Sequence, residues 1–239
     1  KGFSTLRNLG FLSLSENDLE GTLDGVFSDH LQVQLFQVDL HNNHLSGSLP
    51  LELFRLLSLE TSALGSNCFT GTLPVDVCTL VRLHTLILDG LHTSSQCRQK
   101  IWALSKSYTI PYGFHGTIPS CVYELPELRT LHLSGNSFTG SLPDAVIIGN
   151  LSEIVLSHNS LTGPIPDEFQ THPWMYLDLS YNLISGSLTS EFGLGMSDSG
   201  TVYVQNNRLS GDVPPYLVHL ADVSALGSNM FTCNDDKTQ

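Results

Sequence analysis

The chain has 239 residues, of which 41% are hydrophobic and 14% are charged, and its 23 acidic and 10 basic side chains give a formal net charge of -13. This acidic balance disfavours a surface that follows nucleic-acid phosphates or binds an anionic membrane. The apolar content favours an ordered core over disorder. No apolar run approaches the roughly 18 residues that a membrane-spanning helix needs. We therefore expect a folded chain whose partners do not include nucleic acid.

A repeat of about 24 residues runs through almost the whole chain and is marked by an asparagine. Apolar residues precede each asparagine, as Leu128, Leu131 and Leu133 precede Asn136. A second apolar residue, a glycine, a further aliphatic residue and usually a proline follow it at fixed spacing. The repeating asparagines are Asn17, Asn43, Asn67, Asn136, Asn159, Asn182, Asn207 and Asn229.

One further repeat, the fourth, is interrupted by an insertion and has no marker asparagine. Leu83, Leu86 and Leu88 match its beginning, and the segment 114–119 matches its end. The insertion, which we call the island, spans about residues 89–111. With this repeat the chain contains about nine.

Each repeat predicts a short strand with alternating buried leucines, a turn, and an irregular or briefly helical return. Stacked strands form a parallel sheet on the concave face of a right-handed α/β solenoid, with the returns on the convex side. We expect a single domain over residues 1–232 and a polar tail over 233–239. A buried asparagine amide in each turn can satisfy backbone groups of its own and the adjacent coil, so the asparagines should form a ladder.

The pattern resembles the plant-type leucine-rich repeat, L-x-x-L-x-L-x-x-N-x-L-[ST]-G-x-[IL]-P, which residues 128–143 and 151–166 match closely. Such repeats are typical of the ectodomains of receptor-like kinases and receptor-like proteins, of secreted polygalacturonase-inhibitor-like proteins, and of protist cell-surface proteins. The resemblance implies a non-catalytic recognition module that is extracellular or at the cell surface. Family members usually carry paired cysteines in terminal caps, and this sequence shows neither pair. We therefore expect a mature or truncated fragment of a longer protein.

Five cysteines are present, and none forms a CxxC pair that would indicate a zinc or thioredoxin-like site. Cys68 and Cys97 occupy neighbouring positions of repeats three and four, and Cys78 and Cys121 follow the prolines of the same two repeats. Because adjacent coils bring these positions together, we predict the disulfides Cys68–Cys97 and Cys78–Cys121, which suit an oxidising compartment. The alternative is that these cysteines are buried free thiols. Cys233 has no predicted partner.

The island is the main departure from the repeat and the first candidate binding surface. It holds basic and aromatic residues on an otherwise acidic chain, namely Arg98, Lys100, Trp102, Lys106 and Tyr108. Insertions in repeat proteins emerge as loops on one face and often bind partners. The alternative is a disulfide-anchored loop that covers an apolar patch.

The concave sheet is the second candidate binding surface, because alternate strand residues point to solvent. Tyrosine is a favoured contact residue there, since it combines a large area with a hydroxyl group. In the last repeat the same register places Val223 and Ala225 on the solvent face. The alternative is a solvated sheet without a partner. The predicted concave site consists of His132, Glu153, His158, Tyr176, Asp178, Tyr181 and Tyr203.

Catalytic and metal-binding signatures are lacking in the sequence. It contains no GxSxG, HExxH or P-loop pattern, and its ten histidines are scattered over different faces of the predicted solenoid. We expect no enzyme activity, no cofactor and no metal. One sequon, Asn150-Leu151-Ser152, is a candidate glycan acceptor in a secreted protein, and the alternative is a chance match.

These observations favour a module that recognises a protein, a peptide or a glycan through the concave face or the island. The alternative is an architectural module of an extracellular matrix, a filament or a large multi-subunit assembly.

Overall fold

Two parallel sheets of nine strands each run along the stack of repeats in the computed structural model, which describes residues 2–90, 97, 113–144, 147 and 149–232. Each repeat contributes one strand to each sheet, so that odd-numbered strands form one sheet and even-numbered strands form the other. The fourth repeat does so on either side of the island, as predicted. The chain therefore forms the expected leucine-rich-repeat solenoid.

The first sheet, here called the concave sheet, has strands of three residues that pair in sequence order. In most of them the central residue is buried and the two flanking residues are partly exposed, because side chains alternate across a strand. Its strands are β1 (Phe11–Ser13), β3 (Gln37–Asp39), β5 (Thr61–Ala63), β7 (Thr85–Ile87), β9 (Thr130–His132), β11 (Glu153–Val155), β13 (Tyr176–Asp178), β15 (Thr201–Tyr203) and β17 (Asp222–Ser224).

A second sheet follows the asparagine turns, where the sequence predicts only an extended segment. A glycine near the end of these strands takes a positive φ, as Gly140 does at 88°, which a side chain would oppose. The strands are β2 (Glu20–Gly21), β4 (His44–Gly47), β6 (Cys68–Gly71), β8 (Gly113–Thr117), β10 (Ser137–Ser141), β12 (Ser160–Gly163), β14 (Leu183–Ser187), β16 (Arg208–Gly211) and β18 (Met230–Phe231).

Short helical turns form part of the returns, as predicted for the convex side. Prolines immediately precede most of them and lie in the extended region, as Pro166 does before the helix Asp167–Thr171. No helix in the described part of the chain is long and apolar enough to cross a membrane. The α-helical turns are Leu51–Phe54 and Asp167–Thr171, and the 3₁₀ turns are Phe3–Thr5, Val75–Thr79, Ser120–Glu124 and Pro215–His219.

The core is a continuous column of aliphatic side chains beneath the concave sheet, filled on the return side by aromatic rings. The central strand residues Leu131, Ile154 and Leu177 are fully buried. Trp174 is also buried, and its indole N–H donates to the Phe169 carbonyl at 2.8 Å. This hydrogen bond removes the penalty of burying the only polar atom of the indole.

The repeated asparagines form the hydrogen-bonded ladder that their position predicts. The Asn182 Oδ1 accepts from the Leu161 backbone N–H of the preceding coil at 3.0 Å. Its side-chain amide donates to the carbonyls of Leu156 in the preceding coil and Leu179 in its own, at 3.0 and 3.1 Å. From Asn43 onward, each ladder asparagine joins two coils in this way, whereas Asn17 bonds only within its own coil.

Two disulfides tie the coils around the island, and they are the two pairs predicted from the sequence. Cys68–Cys97, with a Cα–Cα distance of 5.6 Å, joins the start of β6 to the island. Cys78–Cys121, at 5.7 Å, joins the 3₁₀ turns of repeats three and four. The bridges therefore tie the interrupted fourth repeat to the third repeat beside it.

The ninth repeat departs from the predicted register by one residue. Strand β17 aligns Asp222 with Thr201 and Ser224 with Tyr203, so the solvent-facing residues are not Val223 and Ala225. Ala225 is buried instead, while Leu226 is 65% exposed. The Asn229 side chain accordingly reaches back four residues, to the Ala225 carbonyl, at 2.7 Å. The sequence prediction for this repeat was wrong because it measured the strand from the asparagine.

Candidate functional site on the concave sheet

The strand register places polar and aromatic side chains in rows that cross the concave sheet. One row runs through the first residues of β11, β13, β15 and β17, which are Glu153, Tyr176, Thr201 and Asp222. The next row runs through the last residues of the same strands and includes Asp178 and Tyr203. Neighbouring strands are about 4.8 Å apart, so side chains in a row lie within contact distance.

Two tyrosines form the centre of this surface. The rings of Tyr176 and Tyr203 meet edge to face, with centroids 5.8 Å apart and an interplanar angle of 84°. The Tyr203 hydroxyl donates a hydrogen bond to the Asp222 carboxylate. This bond is the main cause that raises the pKa of Tyr203 to about 12, because it stabilises the neutral phenol against a nearby negative charge.

Carboxylates surround the tyrosine pair. Burial, followed by the charges of Asp178, Glu153 and Asp222, raises the pKa of Tyr176. The Asp178 Oδ1 accepts from both the backbone N–H and the hydroxyl of Ser180, at 3.0 and 2.6 Å, and these bonds fix its orientation. The tyrosines therefore lie in a negative local field.

A second polar group extends the surface toward the island. The His132 Nε2 lies 3.0 Å from the Glu153 carboxylate, and its Nδ1 lies 3.8 Å from that of Asp89. Asp89 follows β7 at the base of the island and accepts from the backbone N–H and hydroxyl of Ser134 at 2.7 and 2.8 Å. Linked polar contacts thus run from repeat four to repeat six.

The solvent-facing strand positions of the concave sheet carry acidic but no strongly basic side chains. No lysine or arginine occupies the first or third position of any of the nine strands of the concave sheet. The arginine ion pairs found among the described residues, Arg55–Asp76 and Arg82–Glu60, lie outside these strands. The carboxylates at the solvent-facing positions are Asp39, Glu153, Asp178 and Asp222.

Five of the seven predicted concave residues share this surface, and two do not. His158 and Tyr181 lie in the turns after β11 and β13, each with a φ of 54°, and their rings stack at 4.1 Å. Both fall one residue before a ladder asparagine, where the chain has already left the strand, so they lie beside the strand face and not on it. The five that lie in strands are His132, Glu153, Tyr176, Asp178 and Tyr203.

Sequence reasoning missed three residues of the surface: Asp89, Thr201 and Asp222. Asp222 was missed because of the register error in repeat nine. The alternation of polar and apolar residues from Asp222 to Ala225 is the signal that places it correctly. The predicted strand register already places Asp89 and Thr201 on the solvent face, but neither was included in the predicted site.

Other predicted sites are less well defined by the structure. Asn150 is exposed just before β11, which suits a glycan acceptor, and glycosylation there stays a prediction. Among the described residues no cluster of histidine, cysteine and carboxylate side chains is arranged to hold a metal ion. Outside the described residues lie Cys233, the tail 233–239 and the island residues Arg98, Lys100, Trp102, Lys106 and Tyr108.

Comparison with known proteins identifies the repeats. The Leucine Rich Repeat family matches residues 34–56, 127–147 and 150–172. Receptor-like protein 35 of Arabidopsis thaliana is 34% identical over 141 residues, which are 58% of this chain and 14% of that protein. Receptor-like protein 39 of the same plant is 36% identical over 143 residues, again 14% of its length. The chain thus spans only a small part of the curated relatives that it matches.

Solved structures of plant receptors share the fold. The Arabidopsis receptor kinase HAESA, in complex with the peptide hormone IDA and the co-receptor SERK1, superposes over 96% of this chain and 35% of its own, with 26% identity and a TM-score of 0.72. A TDR receptor superposes over 95% of this chain and 40% of its own, with 31% identity and a TM-score of 0.67. The repeat pattern, the paired sheets and these similarities agree: the chain contains leucine-rich repeats and is similar to plant receptor-like proteins.

Proposed function

We propose that this chain is a non-catalytic, extracellular recognition module that binds an extended peptide, or such a segment of a protein, along its concave sheet. The observation that carries the proposal is the connected surface from Asp89 to Asp222, with two partly exposed tyrosines at its centre. The receptor kinase HAESA, which was solved with the peptide hormone IDA, supports a partner of this class. The two disulfides support an oxidising, extracellular setting.

The site is suited to recognition because its side chains are already positioned. Glu153, Tyr176 and Tyr203 lie on strands that pair with a neighbour on both sides. Side-chain contacts fix several of the residues further, as Asp222 does for Tyr203. A surface ordered before binding loses less entropy on association. Tyrosines contribute strongly at such sites, because they offer a large contact area at a small entropic cost.

A displayed library of random peptides tests this proposal. We expect enrichment of peptides whose binding falls by about five- to thirtyfold in the variant Tyr176→Ala/Tyr203→Ala, in keeping with the loss of central tyrosines from an interface. The matched control is Thr139→Ala/Thr162→Ala, which changes two exposed residues on the second sheet and should leave binding unchanged. Thermal unfolding would establish that both variants keep the native fold.

Two results would contradict the proposal. One is a library from which no peptide is enriched. The other is a set of peptides that bind the tyrosine variant and the control variant equally well, since they would bind elsewhere on the molecule.

A further inference from the structure

We infer that the concave sheet takes a cationic side chain, an arginine or a lysine of the bound segment, in a recess above Thr201. This inference rests on the proposed function and specifies the chemistry of the partner. The recess is defined here as Thr201 together with Tyr176, Tyr203, Asp178 and Asp222.

The recess arises because a small side chain lies among large ones. In its row Thr201 lies between Tyr176 and Asp222, which the strand register aligns with it on either side. On its own strand the next solvent-facing residue is Tyr203, which Asp178 faces from the neighbouring strand. Thr201 extends less far from the sheet than any of these residues, so it forms the floor of a depression with aromatic and carboxylate walls.

The charge around the recess favours a cation. Asp178 and Asp222 lie on β13 and β17, on either side of the strand that carries Thr201, and Glu153 lies one strand further along, on β11. None of the arginines in the described part of the chain forms an ion pair with these carboxylates. The Tyr203 hydroxyl binds Asp222 but does not cancel its charge. The raised pKa values of Tyr176 and Tyr203 show that these carboxylates act on the centre of the recess. A bound cation would reduce the mutual repulsion of the three carboxylates.

The aromatic walls point to the same chemistry. The face of a tyrosine ring attracts an ammonium or guanidinium group. Arginine suits the recess best, because its planar group can stack on a ring while its N–H groups pair with a carboxylate. An anionic side chain would be repelled by both Asp178 and Asp222. A neutral side chain could contact the rings but would leave the negative charge of these carboxylates without a counter-charge.

A pair of small probes tests the site directly. Acetyl-glycyl-arginyl-glycine amide is titrated to millimolar concentration into protein with isotopically labelled tyrosines, and the analogue with citrulline in place of arginine is the neutral control. We expect the Tyr176 and Tyr203 resonances to shift with the arginine peptide and to remain unchanged with the citrulline peptide. Asp178→Asn and Asp222→Asn should each lower the affinity for the arginine peptide, read from this titration, by about two- to fivefold, as expected for exposed charges.

A tethered cation provides a second test. Thr201→Arg places a guanidinium in the recess and should weaken binding of the arginine peptide more than tenfold. Thr162→Arg adds the same charge on β12 of the second sheet and should leave binding nearly unchanged. Thr201→Gln, which adds bulk without charge, shows how much of the effect is steric. Thermal unfolding of each variant establishes that the fold is kept.

The outcomes separate this inference from the proposed function. Equal shifts with the arginine and citrulline peptides, or no shifts with either, would overturn the cation site. Library peptides that depend on Tyr176 and Tyr203 but lack basic residues would also overturn it, while peptide recognition would stand. Arginine-specific shifts at both tyrosines, lost in Thr201→Arg and kept in Thr162→Arg, would support the site even if no longer peptide were enriched.

Discussion

At the scale of single residues, the repeated asparagine performs a task that leucine burial cannot. Asn182 is 6% exposed, and its amide satisfies a backbone N–H and carbonyls of two coils. An apolar side chain of similar size would leave these groups buried without partners, each at a cost of about 1–3 kcal/mol. The asparagine is therefore required by the backbone geometry of the turn and not by a partner of the protein.

Asn182→Ala should lower the free energy of unfolding by about 2–3 kcal/mol, because the Leu161 N–H and the facing carbonyls lose their side-chain partner. Urea unfolding followed by circular dichroism measures the loss. Asn17→Ala is the matched control, since Asn17 is exposed and bonds only to carbonyls of its own coil, and it should lose less than about 1 kcal/mol. Similar losses at both positions would show that the link between coils contributes little.

We expect the Tyr203 hydroxyl to titrate at a more alkaline pH than an ordinary tyrosine. Its pKa is raised to about 12, chiefly by the hydrogen bond to Asp222, against an ordinary value of 10.0. The folded state therefore favours the neutral phenol, so this contribution to stability is present below about pH 10 and is lost as pH rises toward 12. In Asp222→Asn the Tyr203 pKa should fall toward 10, as measured by phenolate absorbance against the Tyr203→Phe variant. An unchanged titration in Asp222→Asn would contradict the assigned cause.

Periodicity predicted most individual positions, and it was wrong where a residue lies at the end of a strand. The buried leucines and the asparagines repeat in phase, because one physical requirement selects each set. The leucines are selected by burial in the core, and the asparagines by hydrogen bonding to the backbone of the turn. His158 and Tyr181 follow the strands by only a few residues, and no side-chain period separates the strand face from the turn there. In the last repeat the register was counted back from Asn229, and one additional residue moved Asp222 onto the face.

At the scale of elements, the second sheet was less predictable than the first. Its strands are short and rich in serine, threonine and glycine, a composition that also suits loops. They are strands because each coil presents the same extended segment to the next, so pairing depends on the stack more than on local propensity. Two of them, β2 and β18, have only two residues each.

The return segment after the helix Asp167–Thr171 contains a histidine that should make stability depend on pH. Burial lowers the pKa of His172, whose Nε2 lies 2.6 Å from the Leu151 carbonyl, and its ring contacts Trp174 at 4.3 Å. Because the folded pKa lies below the unfolded value of about 6.5, the unfolded state binds more protons and stability falls as pH drops below that value.

The expected result is a smaller loss of stability between about pH 7 and pH 5 in His172→Gln than in the unmodified protein, because glutamine keeps a donor but does not titrate. Urea midpoints at the two pH values measure this difference. His115→Gln, at an exposed position of β8, is the control and should keep the original pH dependence. If both variants respond to pH as the unmodified protein does, His172 is not a source of the dependence.

The bridge Cys78–Cys121 stabilises the junction at which the island enters. It connects 3₁₀ turns on two coils across a sequence separation of 43 residues. Cys78→Ser/Cys121→Ser should therefore lower the free energy of unfolding by about 2–4 kcal/mol, since the unfolded chain regains the entropy of an open loop. Chemical denaturation under non-reducing conditions measures the effect. A variant as stable as the parent would show that the sheets and the ladder alone hold these coils together.

At the scale of the whole molecule, every coil contacts mainly the coils before and after it. Both sheets pair only neighbouring repeats, and the asparagine ladder bonds follow the same order. Stability in such a stack is approximately a sum of repeat and nearest-neighbour contributions. A coil with a neighbour on one side only therefore lacks part of the stabilisation that a central coil receives.

This organisation predicts a gradient of hydrogen exchange along the stack. The Leu14 amide bonds to the Asp39 carbonyl at 2.9 Å, and the Leu156 amide bonds to the Asp178 carbonyl at 2.8 Å, at equivalent positions of repeats one and six. Because the two bonds are alike, a difference in exchange reports the position of the coil. Among the described strands, β1 pairs on one side only and β11 pairs on both sides. We therefore expect the Leu14 amide to exchange at least tenfold faster than the Leu156 amide. This ratio corresponds to a difference of about 1.4 kcal/mol in the free energy of opening. Native-state exchange measured by NMR resolves the two amides. Equal rates would mean that the stack opens only as one cooperative unit, and the nearest-neighbour description would not hold for this chain.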